Sequence, residues 1–130
     1  DTATANAIDD YEEGTWTPTI VNATIGTQRS AQYTKIGNIV YIQGYFETAS
    51  GSGGSAISMG GLPYTVSSTT NYASYACGRI GSGGHTNSAS DIVFQFQTAS
   101  TTFVPLVQDG NINEGMASSV HMIFSGFYHV

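Results

Sequence analysis

Ala31-Gln32-Tyr33-Thr34-Lys35-Ile36-Gly37-Asn38-Ile39-Val40-Tyr41-Ile42-Gln43-Gly44-Tyr45-Phe46-Glu47-Thr48 carries the strongest strand signal in the chain. Gly37-Asn38 has turn chemistry and splits the stretch into two extended runs, although Gly-Asn is a weaker hairpin cue than Asn-Gly. In the second run Val40, Ile42, Gly44 and Phe46 share one face by the two-residue period, and Ile39, Tyr41, Gln43 and Tyr45 share the other. Both faces are largely apolar. A strand of this kind needs cover on two sides, so one face is expected in a core and the other against a neighbouring subunit or a folded-back loop.

Outward from that stretch the pattern stays extended. Toward the N-terminus, Trp16 alternates with Thr15 and Thr17, and Pro18 limits the segment to an edge or a strand end. Trp16 is expected as a core anchor, with a sugar-stacking platform as the alternative. Asp9, Asp10, Glu12 and Glu13 are four of the nine acids of the chain. Adjacent like charges gain by staying in water, so Asp9 to Gly14 is expected as a solvated turn whose carboxylates do no chemistry. Residues 1–14 are therefore read as a segment arriving from an upstream stalk, the chain being expected as a C-terminal piece of something longer, and 15–130 as one β-sandwich domain.

Toward the C-terminus, Ile57 and Met59 alternate ahead of Gly60-Gly61-Leu62-Pro63, and Tyr72 to Ile80 reads as a strand without a clean buried face. Asp91 to Gln97 places Ile92, Phe94 and Phe96 inward, and Pro105 breaks the strand that begins at Thr102 and puts it at an edge or a bulge. The closing run alternates Val120, Met122, Phe124, Gly126, Tyr128 and Val130 against His121, Ile123, Ser125, Phe127 and His129. Glycine-serine connections at 49–55 and 81–88 lack phosphate-loop spacing. Nothing sustains a helical period, and about eight or nine short strands without a repeat predict an all-β, antiparallel, jelly-roll-like sandwich.

Composition excludes several functions. Charged residues make up 9% of the 130 residues and the net charge is −6, with Arg29, Lys35 and Arg79 as the lysines and arginines. No basic patch can neutralise phosphates, so nucleic acid is not expected as a partner, and an anionic membrane surface would repel the chain. No apolar run approaches the roughly 18 residues that a membrane helix needs. The single Cys77 cannot make an intrachain disulfide. Glycan hydrolysis needs two carboxylates across a cleft, and the acids outside 9–13 are scattered, so no enzyme is expected. No cofactor is expected either. His121 and His129 lie on one predicted face but eight residues apart, about 27 Å along a strand, so a metal could be held only where one histidine from each of three subunits meets on a three-fold axis.

Four motifs carry a family resemblance. Asp9-Asp10-Tyr11-Glu12-Glu13-Gly14-Thr15-Trp16-Thr17-Pro18, then Tyr33-Thr34-Lys35-Ile36-Gly37-Asn38-Ile39-Val40, then Gly61-Leu62-Pro63-Tyr64, then Phe124-Ser125-Gly126-Phe127-Tyr128 resemble the C-terminal domain of bacteriophage tail fibre and tailspike proteins. The resemblance covers essentially the whole chain. It implies a virion protein, a homotrimer at the distal end of a fibre or spike, and attachment to a bacterial surface; it does not name the ligand.

The residues themselves favour binding. Eight tyrosines among many hydroxyl and amide side chains supply flat apolar faces beside neutral donors and acceptors, which suits a host-surface glycan. Tyr11, Tyr33, Tyr41, Tyr64 and Tyr128 are assigned to core or subunit contacts. Tyr72 and Tyr75, with His85 and Asn87 of the second glycine loop, are the expected ligand-binding residues. Arg79 would add a fork for an acidic sugar, or pair structurally with Glu47 or Asp91. Ile39, Tyr41, Tyr45, Ile123 and Phe127 are the expected subunit interface. The competing readings are a C-terminal trimerisation cap without receptor binding and a carbohydrate-binding module of an upstream tailspike enzyme.

Overall fold

A computed structural model describes residues 10–51, 55–69, 75–81, 92–106 and 119–130. The hairpin at its centre follows from Gly37-Asn38: Ile36 faces Ile39 across the turn, and Gly37 takes a φ of 58°. Positive φ at the first central position only is the pattern of a type II′ turn, whose twist matches that of the strands it joins.

Among the described residues there are nine strands: β1 (Tyr11–Thr15), β2 (Thr19–Val21), β3 (Thr24–Ile36), β4 (Ile39–Ser50), β5 (Ser58–Gly60), β6 (Tyr75–Gly81), β7 (Ile92–Phe96), β8 (Phe103–Leu106) and β9 (His121–His129). The all-β antiparallel class is as expected from the sequence, and the described residues contain no helix. Where the sequence suggests a two-sheet sandwich, the ladder instead runs through all nine strands in the order β1-β3-β4-β9-β6-β7-β8-β5-β2. Of the stretch expected as a solvated turn, Asp9 lies outside the described residues, and Tyr11 to Gly14 belongs instead to a strand, Tyr11 to Thr15 pairing residue by residue with Ile36 to Gln32. The acids are tolerated there because β1 is an edge strand, where charge also blunts unwanted pairing.

The sheet has to curl. Its two terminal strands, β1 and β2, are separated by Trp16-Thr17-Pro18 alone, a path of at most roughly 14 Å. A flat nine-stranded sheet would hold its edges about 38 Å apart. The chain between β1 and β2 therefore draws the sheet into a half-barrel, and Trp16, at that seam, turns its ring into the interior.

Trp16 is 5% exposed and its indole lies 6.1 Å from the Phe124 ring. Phe124 is the hub of the core, with Phe94 and Phe103 both at 5.3 Å and Phe46 at 6.2 Å. Its place depends on two glycines in register with it on the flanking strands, Gly44 on β4 and Gly78 on β6. A Cβ at either would lie 2.4 Å from a ring atom, of Phe124 at Gly44 and of Phe94 at Gly78. The aromatic ring covers the backbone that the glycines leave bare, which explains two glycines inside otherwise good strands. Pro105 is buried in β8 opposite Phe94, and β5 meets β8 only at Met59 and Phe103, so the missing donor of Pro105 interrupts no ladder on that side.

Candidate functional site

The outward residues of β4 and β9 lie opposite one another in rows. Tyr41 faces Phe127, Gln43 faces Ser125, Tyr45 faces Ile123 and Glu47 faces His121, with Ile39 opposite His129 at the hairpin end. Ile39, Tyr41, Ile123 and Phe127 are 41–50% exposed. The rows continue sideways. Ile36 and Tyr11 extend the Ile39 row, Thr34 and Glu13 extend the Tyr41 row, and Gln32 and Thr15 extend the Gln43 row. On the other side Ser125 faces Cys77, which faces the exposed Val93. The outer face thus has an apolar zone at the hairpin end, a hydroxyl and amide belt across its middle, and a second apolar pair at Tyr45 and Ile123.

Four of the five residues expected as subunit interface are exposed on this face. The fifth, Tyr45, is half-buried because its hydroxyl hydrogen-bonds His121 Nδ1 at 2.9 Å and the Arg29 guanidinium sits 5.4 Å above its ring. Arg29 also pairs with Glu47 at 3.2 Å, so Glu47 has a partner other than Arg79. The expected ligand residues Tyr72, His85 and Asn87 lie outside the described residues, as does Asp91. Tyr75 and Arg79 are on β6, opposite Gln95 and Ile123, and their side chains lie outside the described part. His121 and His129 are placed at opposite ends of β9, and no group of three potential metal ligands occurs among the described residues.

Two shallow depressions on the outer face share Tyr41 and Gln43. One, of about 420 Å³, is lined by Glu13, Gly14, Thr15, Gln32, Tyr33, Thr34, Tyr41 and Gln43. The other, of about 550 Å³, crosses β4, β9 and β6 past Tyr45, Cys77, Ile123 and Ser125. In the first, Gln43 Nε2 donates to Gln32 Oε1 at 2.5 Å, which leaves the Gln32 side-chain N–H groups and Gln43 Oε1 for a ligand. Neither Gln32 nor Gln43 is among the binding residues expected from the sequence. Their pairing was legible: once Ile36 faces Ile39, counting back along both arms puts Gln32 opposite Gln43.

A second polar cluster closes the frame on the other side of the sheet. Glu12 accepts hydrogen bonds from the Tyr33 and Tyr64 hydroxyls, and Lys35 pairs with Asp10. The Tyr128 hydroxyl donates to Tyr64 O at 3.1 Å and accepts from Tyr64 N at 3.2 Å. The two phenols hold the Glu12 carboxyl below its ordinary value, and the carboxylate in turn pushes Tyr33 and Tyr64 up. Burial raises Tyr128. One residue or more from each of the four motifs meets here or at Phe124, so these motifs build the frame, and the amide belt lies across the sheet from it.

No protein-family model, no curated protein and no solved structure matches this chain.

Proposed function

We propose that this chain is a virion attachment domain, the C-terminal part of a bacteriophage tail fibre or tailspike, which binds a host-surface glycan as a homotrimer. The observation that carries the reading is the hairpin end of the outer face, where Tyr11, Ile36, Ile39 and Phe127 stand about half exposed on neighbouring strands, with Tyr41 at their border. Apolar residues aligned across neighbouring strands form a contiguous patch, and a patch of that kind marks an interaction surface. A second copy of the chain would have few charges to bury on such a face: Glu13 lies at one side, Glu47 is paired with Arg29 at the other, and Arg79 stands on β6 in register with Ile123. The four-motif resemblance supplies the virion context. The exposed tyrosine beside neutral amides supports a glycan over a protein or nucleic-acid ligand.

Light scattering tests the assembly. The expected mass is three times that of the 13.6 kDa chain, and Ile123→Asp should reduce it to one chain with an unchanged circular dichroism spectrum. A wild-type chain that stays single would overturn the trimer. Adsorption of the labelled trimer to bacterial cells tests attachment. A trimer that adsorbs to none of a broad strain panel would make the chain a structural cap.

A further inference from the structure

The depression between β1, β3 and β4 is built differently from the rest of the outer face. Its walls are the Tyr41 ring on one side and β1, with Glu13 and Thr15, on the other. Its floor carries Gln32, Thr34 and Gln43. Tyr41 lies at its border with the apolar rows of β4 and β9, so the depression sits at the rim of the surface assigned above to a second copy. Its volume of about 420 Å³ falls within the range of small-ligand sites. A shallow site on one subunit leaves much of a ligand in water, and a neighbouring copy seated on Ile39, Phe127 and Ile123 would raise a further wall beside it.

We propose that this depression is a saccharide subsite selective for neutral or N-acetylated hexoses. The inference rests on the attachment reading above and places its ligand contact. A hexose presents an apolar C–H face and a rim of hydroxyls that both donate and accept. The exposed Tyr41 ring matches the first, and the paired Gln32 and Gln43 amides with the Thr34 hydroxyl match the second. The pairing also has a specific consequence. Because Gln43 spends a donor on Gln32, the two side chains offer Gln43 Oε1 and the Gln32 N–H groups side by side.

Charge decides which sugars enter. The Glu13 carboxylate lines the depression, accepting a hydrogen bond from the Tyr11 hydroxyl at 2.8 Å, and no described cation lines it. Arg29 and Lys35 are engaged by Glu47 and Asp10. An acidic sugar would bring a like charge to Glu13 with nothing to offset it, whereas a neutral hydroxyl or an acetamido N–H can donate to it. Uronic and sialic acids are excluded on that ground.

The test is a 1H–15N titration of the intact 130-residue chain with glucose, galactose, mannose and N-acetylglucosamine, against galacturonic and N-acetylneuraminic acid. At least one neutral sugar should shift the side-chain amides of Gln32 and Gln43 with an affinity in the millimolar range expected of a single shallow contact. Neither acid should do so. The affinity should fall at least tenfold in Gln32→Ala/Gln43→Ala and in Tyr41→Ala and persist in Tyr41→Phe, which keeps the ring. Since Tyr41 borders the apolar rows, mass and circular dichroism are checked for each variant, and the glutamine pair carries the result if Tyr41→Ala fails to assemble. The proposal is overturned if no neutral sugar moves these amides, if the double glutamine variant binds as the wild type, or if an acid binds more tightly than every neutral sugar. Wild-type adsorption to cells that survives the double glutamine substitution would remove this subsite and leave the attachment reading standing. Loss of adsorption by the wild type itself would remove the attachment reading.

Discussion

The two faces of β4 and β9 are made of similar residues and do different things. Inward, Val40, Ile42, Phe46, Met122, Phe124 and Tyr128 are buried; outward, Ile39, Tyr41, Ile123 and Phe127, their immediate neighbours in sequence, are about half exposed. The difference is one of company. The inner face is closed over by the curl of the sheet, by Trp16 at its seam and by the rings around Phe124, while on the outer face Arg29 covers part of Tyr45 and leaves Ile39, Tyr41, Ile123 and Phe127 exposed. An apolar residue gains free energy only from what covers it, so hydrophobicity in the sequence marks both faces and stability comes from one.

Substitutions at adjacent positions break the comparison most sharply. Phe124→Ala removes the ring that fills the row between Gly44 and Gly78, and it should cost about 3–5 kcal/mol, read from urea or thermal denaturation. Ile123→Ala, one residue earlier on the opposite face, should cost less than about 1 kcal/mol at chain concentrations that keep the chain single. If the two costs were equal, the outer face would be covered within the chain and the subunit reading would lose its basis.

The Glu12 cluster sharpens the comparison on the polar side. Its folded carboxyl titrates below the unfolded value, so its contribution to stability is complete above the ordinary carboxylate range and is lost as pH falls through the lower folded value. Tyr33 and Tyr64 titrate above the ordinary phenol value of 10.0, so their contribution is complete below that value and is lost as pH rises through the higher folded ones. The cluster therefore holds β1, β3 and the Tyr64 segment together across the whole neutral range. Glu12→Gln should lower the urea midpoint near neutrality and flatten its dependence on pH on the acid side. An unchanged acid limb would show that Glu12 has no such role.

The smallest effect belongs to the outer-face ion pair. Arg29 and Glu47 have side chains 47% and 26% exposed, and solvent screening at that exposure leaves such a pair worth less than about 1 kcal/mol. Arg29→Ala should stay within that limit, and most of any loss should come from the packing of its stem on Tyr45. A larger loss measured by denaturation would mean that this corner of the outer face is more shielded than its exposure indicates.

Much of the frame was legible from residues alone. Gly37-Asn38 between two alternating runs implied the hairpin, the hairpin implied its register, and alternation in the closing run separated Met122, Phe124 and Tyr128 from Ile123 and Phe127. Trp16 was legible as a core anchor. The role of Glu12 was not, because a run of acids reads as solvated unless its partners are known, and Tyr33 and Tyr64 are 21 and 52 residues away. The Gln32 and Gln43 belt follows from the hairpin register, but neither residue stands out in composition or motif. Tyr72, His85 and Asn87, favoured for ligand binding, fall outside the described residues.

Local features followed from the residues alone: the strand pattern of the longest runs, the turn at Gly37, and which side chains share a face, all of which depend on neighbours a few residues apart. Tertiary structure decided the rest. That β1 and β2 end one curled sheet, that Phe124 needs glycines on both flanks, and which of two apolar faces is covered depend on pairings between distant strands. The two-residue period states that two faces exist, but burial is set by the strands that come to lie beside them, and that choice belongs to the whole chain.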